Sequence, residues 1–162
     1  MYRSFEHMVT SVSVPVGSFV LVSIYRSPGP CTDFMEFMSF LSFMSSINCW
    51  FTICGDFNVH VDVLKSDVVK FLSVLYPCNL KQLVTKPTYL HGHTLDLILA
   101  PQNGSYSHNL KVCDFVSDHA LVKCHIDFPC VQSHQSIKLF PIAGSTVLTC
   151  YPLDLIWMKL HL

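Results

Sequence analysis

Residues 51–62 read Phe-Thr-Ile-Cys-Gly-Asp-Phe-Asn-Val-His-Val-Asp. The apolar run from Phe51 to Cys54 stops at Gly55, and polar and apolar residues then alternate from Asp56 to Asp62. A short apolar run closed by a turn signal suits a strand buried on both faces. The stretch therefore predicts a core strand that ends by delivering an acid, Asp56, and an amide, Asn58. Strand alternation would put those two side chains on the same side. Gly-Asp followed by Asn is also ordinary turn chemistry, so the rest of the chain must decide.

Upstream, Ser18 to Tyr25 is a second buried-strand pattern, ended by the loop signal Arg26-Ser27-Pro28-Gly29-Pro30. Thr32 or Asp33 can cap a helix that runs to about Ser46. Its Phe34, Phe37, Phe40 and Phe43 recur in threes, which drifts around a 3.6-residue helix and predicts a wide apolar stripe that is packed on more than one side or leaves the helix poorly soluble alone. Downstream, Ser66 is placed to cap a helix over Asp67 to Tyr76, with Val68, Val69, Leu72, Leu75 and Tyr76 on its buried side. Weak strand character covers Leu80 to Val84, and Thr94 to Ala100 forms a strand stopped by Pro101. Gln102 to Asn109 is turn-rich, and Ser117-Asp118-His119 separates the strands Leu110 to Val116 and Ala120 to Phe128. Strands interleaved with helices imply an α/β layered domain. After Pro129 the apolar residues lose their period, so residues 129–162 read as an irregular tail outside a domain spanning 1–128.

With 162 residues, about half of them apolar and 13% charged, the chain can bury a real core and is not disordered. A net charge of −1 leaves no electrostatic footprint for nucleic acid. None of the eight cysteines forms a CxxC pair, which favours buried free thiols over zinc. Met8 to Tyr25 and Phe37 to Gly55 are both interrupted by polar residues, and neither is an unbroken span of about 20 apolar residues. The first residues lack the apolar core of a signal peptide. No membrane association is expected, and the expected compartment is intracellular, the nucleus included.

Three acids stand beside strand signals: Asp56, Asp96 inside Thr-Leu-Asp-Leu-Ile-Leu, and Asp118 in Ser-Asp-His. An acid inside an apolar strand costs several kcal/mol, on the order of a buried unpaired charge, unless it is paired or holds a metal. Each acid alone has an ordinary structural explanation. The ordered set is more specific than any member.

That set, IYRSP (24–28), GDFNVHVD (55–62), PTYLHGHTLDLIL (87–99) and VSDHALVK (116–123), resembles the endonuclease/exonuclease/phosphatase superfamily. It is most similar to the endonuclease domains of non-LTR (LINE-type) retrotransposon reverse transcriptase polyproteins, over residues 18–128. The resemblance implies a DNase I-like fold, here a partial two-sheet β-sandwich flanked by helices, with the active site at one edge of both sheets. It implies DNA as substrate and phosphodiester hydrolysis by an activated water, with Mg²⁺ or Mn²⁺ as cofactor. By analogy Asp56 orients or deprotonates the water, and Asn58 binds the water or a phosphate oxygen. His119 donates a hydrogen bond to the phosphate, and Asp96 is the carboxylate that orients it. Tyr25 reaches the phosphate, while Asp118 and Asp56 are the candidate metal ligands. No protein partner is implied.

The family also uses an asparagine and a glutamate on strands that precede the IYRSP strand, and the sequence begins too late for either. Glu6 stands where the family has an ordinary sheet residue, so the metal role does not transfer to it. An N-terminally truncated domain with impaired catalysis and an unpaired sheet edge is the resulting expectation. Alternatives are a non-catalytic α/β remnant serving as an interaction module, or a phosphatase or lipid phosphodiesterase of the same superfamily. His60, His91 and His93 fall near loops beside the proposed site, where a two-histidine metal site competes with plain surface histidines. Lys86 reads as a solvated loop lysine.

Overall fold

A computed structural model describes residues 4–14, 17–29, 34–104, 107–128 and 153–157. Strands β1 (Glu6–Val14) and β2 (Gly17–Tyr25) form an antiparallel hairpin. Helix α1 (Phe34–Ser46) then carries the chain to β3 (Trp50–Asp56), which lies parallel to β2. A parallel pair needs such a crossover, because no tight turn can join its ends. Helix α2 (Ser66–Leu75) leads to the short β4 (Leu80–Gln82), and β5 (Asp96–Pro101) inserts antiparallel between β3 and β4. The five-stranded order is β1-β2-β3-β5-β4. A second sheet contains β6 (Ser107–Phe115), β7 (Ala120–Asp127) and β8 (Leu153–Trp157), all antiparallel.

Strand alternation sorts the core into two layers. Val22, Ile24, Ile53, Leu97 and Leu99 face the helices and pack with Phe37, Phe40, Leu41 and Met44 of α1 and Val68, Phe71 and Val74 of α2. On the opposite face, Phe19, Cys54 and Ile98 meet Val122, Cys124 and Ile126 of β7. Each fully buried large apolar side chain in these layers contributes about 1.5–3 kcal/mol. The α/β two-sheet sandwich expected from the sequence is the architecture observed.

Several local expectations are corrected. In α1, Phe37, Phe40, Leu41 and Met44 form one buried stripe, while Met35 and Phe43 face solvent. The threefold repeat therefore does not bury more than one side. In α2 the buried residues are Val68, Phe71, Val74 and Leu75, and Val69 and Tyr76 are 53% and 80% exposed. Apolar residues cover a broad arc opposite Ser66, Lys70 and Ser73, so contact with the sheet selects which part of that arc is buried. Ser66 lies inside α2, whose cap position is Lys65 and makes no side-chain capping bond. The cap expected at Thr32 or Asp33 lies outside the described residues.

Strand β1 lies at the sheet edge and is exposed along most of its length, with only Val12 and Val14 partly buried against the layer between the sheets. Within the stretch read as an aperiodic tail, Leu153–Trp157 pairs with β7 from Leu153↔Ile126 to Trp157↔Val122. The rest of 129–162 lies outside the described residues. Cys54, Cys78 and Cys124 are buried free thiols as expected, Cys49 and Cys113 are free thiols that are only half-buried, and Cys31, Cys130 and Cys150 lie outside the described residues. No helix among the described residues is long and apolar enough to cross a membrane.

Candidate active site

Register places the site. Tyr25 pairs with Asp56 across β2 and β3, and Asp56 pairs with Asp96 across β3 and β5. Directly paired residues share a sheet face, so these three side chains form one row on the face that looks toward the second sheet. The row continues to Glu6, opposite Tyr25 on β1. At about 4.8 Å per strand, Glu6 starts roughly 10 Å of sheet away from Asp56, and its side chain is exposed.

Gly55 makes the delivery of Asp56 possible. Its φ is +148°, and a Cβ there would stand 1.8 Å from the Ile24 carbonyl oxygen. No side chain fits between β3 and β2 at this point. Asp56 itself has 0% relative exposure. Asn58 reaches it by a turn, because β3 ends at Asp56 and Asn58 adopts a φ of +48°. The Asn58 backbone N–H donates to Asp56 Oδ1 at 3.0 Å, and its Nδ2 donates to Asp56 Oδ2 at 3.1 Å and to the Arg26 carbonyl at 2.7 Å. The sequence placed the pair on one side by strand alternation; left-handed backbone at Asn58 is the actual device, and asparagine tolerates it best after glycine.

The second sheet contributes His119, which directly precedes β7 and is buried. Its Nδ1 lies 2.7 Å from Asp96 Oδ2. Burial pushes the Asp96 carboxyl up from its ordinary range; hydrogen bonds from His119 and Thr88 oppose that rise, and the nearby Asp56 charge adds to it. The buried Asp96 thus has the partner that its place in an apolar strand demanded. Thr88 completes the support. Its hydroxyl oxygen accepts the N–H groups of Leu95 and Asp96, each at 3.0 Å. Its carbonyl accepts Ala120 N–H at 2.7 Å, while Leu90 N–H donates to the Asp118 carbonyl at 2.8 Å. Tyr89 bridges to His119 between these bonds, and their rings stand 5.2 Å apart.

Asp56, Asp96 and His119 come together: one ligand atom from each lies within 4.8 Å of the others. Tyr25 joins them through the strand row. Asp118 does not belong to this cluster; it is half-buried, and its Oδ1 accepts the Ser117 hydroxyl at 3.1 Å. Two buried carboxylates beside one imidazole concentrate negative charge and oxygen donors, which fits a divalent cation. Sequence reasoning missed Thr88 and the Arg26 carbonyl. Thr88 follows Pro87 in the quoted motif, but a lone loop threonine carries no chemical signal.

No protein-family model matches the sequence. No curated protein matches it either. Among solved structures, the chain is similar to the endonuclease domain of TRAS1, a telomere-specific non-LTR retrotransposon, with a TM-score of 0.59 and 16% identity. The likeness is one of fold. It covers 70% of this chain and 58% of the other, so the chain spans less than two thirds of that neighbour. The flanked two-sheet sandwich expected from the motifs is the fold observed, and it matches the DNase I-like endonuclease fold of that neighbour.

Proposed function

We propose that this chain carries an endonuclease-type site for metal-dependent hydrolysis of phosphodiester bonds in DNA. One observation supports this above all others. Asp56, Asn58, Asp96 and His119, from three separate stretches of sequence, converge in a buried polar cluster at one end of the sandwich. Their hydrogen bonds support a distinct role for each residue.

Asp56 takes the proton of the attacking water, and Asn58 orients that carboxylate through both of its oxygens. Asp96 holds the His119 Nδ1–H, so the other ring nitrogen is turned to a phosphate oxygen. Tyr25, in register with Asp56, adds a hydroxyl at the phosphate. Asp56 would hold a Mg²⁺ or Mn²⁺ ion, with Asp118 in the surrounding water network. Such an ion, when bound, supplies charge neutralisation at the phosphate. Catalysis is expected to be slow, because Asp96 is engaged by His119 and Asp56 by Asn58, which leaves few oxygen ligands for a cation.

The test is Mg²⁺- and Mn²⁺-dependent nicking of supercoiled plasmid by the purified chain. Slow nicking is expected in the parent, with a loss of at least about 100-fold in Asp56→Ala and in His119→Ala. Activity that survives both substitutions overturns the residue assignment. A folded parent with no activity on plasmid overturns the catalytic reading in favour of a non-catalytic module.

A further inference from the structure

The loops that frame the site carry a second group of side chains that the proposed reaction does not use. His60 lies on the loop after β3 and His93 on the loop before β5. Their imidazole rings stand 4.3 Å apart, inclined at 66°. His93 Nδ1 is 2.8 Å from Asp62 Oδ2, and the other Asp62 oxygen accepts Thr94 N–H at 2.9 Å.

The geometry determines what His93 can do. An ionised carboxylate only accepts hydrogen bonds, so His93 carries a proton on Nδ1, and in the neutral ring Nε2 keeps its lone pair. A carboxylate behind an imidazole is the arrangement that fixes tautomer and orientation in histidines that ligate metal through the far nitrogen. Here the carboxylate is itself fixed by the Thr94 backbone. Both rings are partly open to solvent, which leaves room for water ligands. Two imidazoles this close would repel each other if both were protonated, whereas a shared cation needs them neutral and adjacent. Two nitrogens on a tetrahedral zinc ion lie about 3.3 Å apart, from bonds of about 2.0–2.1 Å. The two ring centres are 4.3 Å apart, so a shared ion requires each imidazole to turn a nitrogen toward the other ring's nitrogen.

We propose that His60 and His93 form a binding site for an imidazole-preferring divalent transition ion of the Zn²⁺ class, completed by water, with Asp62 as its positioning residue. The site is distinct from the Asp56–Asp96–His119 cluster, whose carboxylates suit harder cations. A bound ion would pin the loop after β3 to the loop before β5, which already meet through Asp62.

The experiment is a Zn²⁺ titration of the full chain near neutral pH, followed by imidazole ¹⁵N NMR and by calorimetry. The ring signals of His60 and His93 should move at the first equivalent. Affinity should fall at least about tenfold in His60→Ala and in His93→Ala, and about 10–100-fold in Asp62→Asn. Circular dichroism without metal verifies that each variant is folded; should one fail, the ring shifts of the parent decide alone. Zn²⁺ taken up first by cysteines or other histidines, with the His60 and His93 rings unmoved, overturns the proposal. So does undiminished affinity in folded His60→Ala or Asp62→Asn. None of these readouts depends on nuclease activity, so the site stands or falls separately from the proposed reaction.

Discussion

Gly55 lies against the backbone of Ile24, and Asp56 begins where that contact ends. Replacing Gly55 with alanine should cost about 3 kcal/mol or more, because the new methyl must displace main chain rather than a flexible side chain. Urea unfolding of Gly55→Ala beside the parent measures the loss. The same few residues show how far sequence reaches at this scale. Gly-Asp-Phe-Asn was legible as a unit, and Asp96 was legible as an acid in need of a partner. The left-handed backbone of Asn58 was not, since alternation and a turn both predict the same neighbours. Thr88 was silent for another reason. Its importance comes from two backbone N–H groups that reach it only after β5 is in place.

Among the elements, α2 separates patterning from packing. Its apolar residues at 68, 69, 71, 72, 74 and 75 leave the buried face open in sequence, and contact with the sheet settles it. Phe71→Ala should therefore cost about 3–5 kcal/mol, and Leu72→Ala, at 37% exposed, about 1 kcal/mol or less. Equal losses in thermal or chemical unfolding would mean that the helix presents its other face. Strands show the same dependence on context. β3 and β5 were legible because both of their faces are buried and their residues read as apolar runs. β1 and β8 were not: the first is exposed on its edge, and the second gains its definition by pairing with β7.

At the scale of the whole molecule, the two sheets meet through an apolar layer that contains a polar tie. His108 on β6 lies 2.9 Å, Nε2 to Oγ1, from Thr52 on β3. Burial first, and the Lys81 charge second, lower the His108 pKa from 6.5 to about 4. Between those values the unfolded chain binds a proton that the folded chain refuses, so stability rises with pH. The contribution is complete above about 6.5 and is lost as the pH falls toward 4. Unfolding midpoints measured across that interval should decline in the parent, and the decline should be shallower in His108→Gln. A variant with the parent's slope would assign the pH dependence to other groups.

Main-chain hydrogen bonds between the sheets are also concentrated at one place. Among the described residues, backbone hydrogen bonds from the second sheet and its β6–β7 turn to the first sheet and its loops fall at Thr88 and Leu90, beside His119. Elsewhere the contact between sheets is made by side chains, which slide and repack more readily than paired backbone. Relative motion of the layers is then most restrained by hydrogen bonds at the end that holds Asp96 and His119. The far end can breathe while the spacing of those two groups is kept, as the jaws of a clamp move and its hinge pin does not.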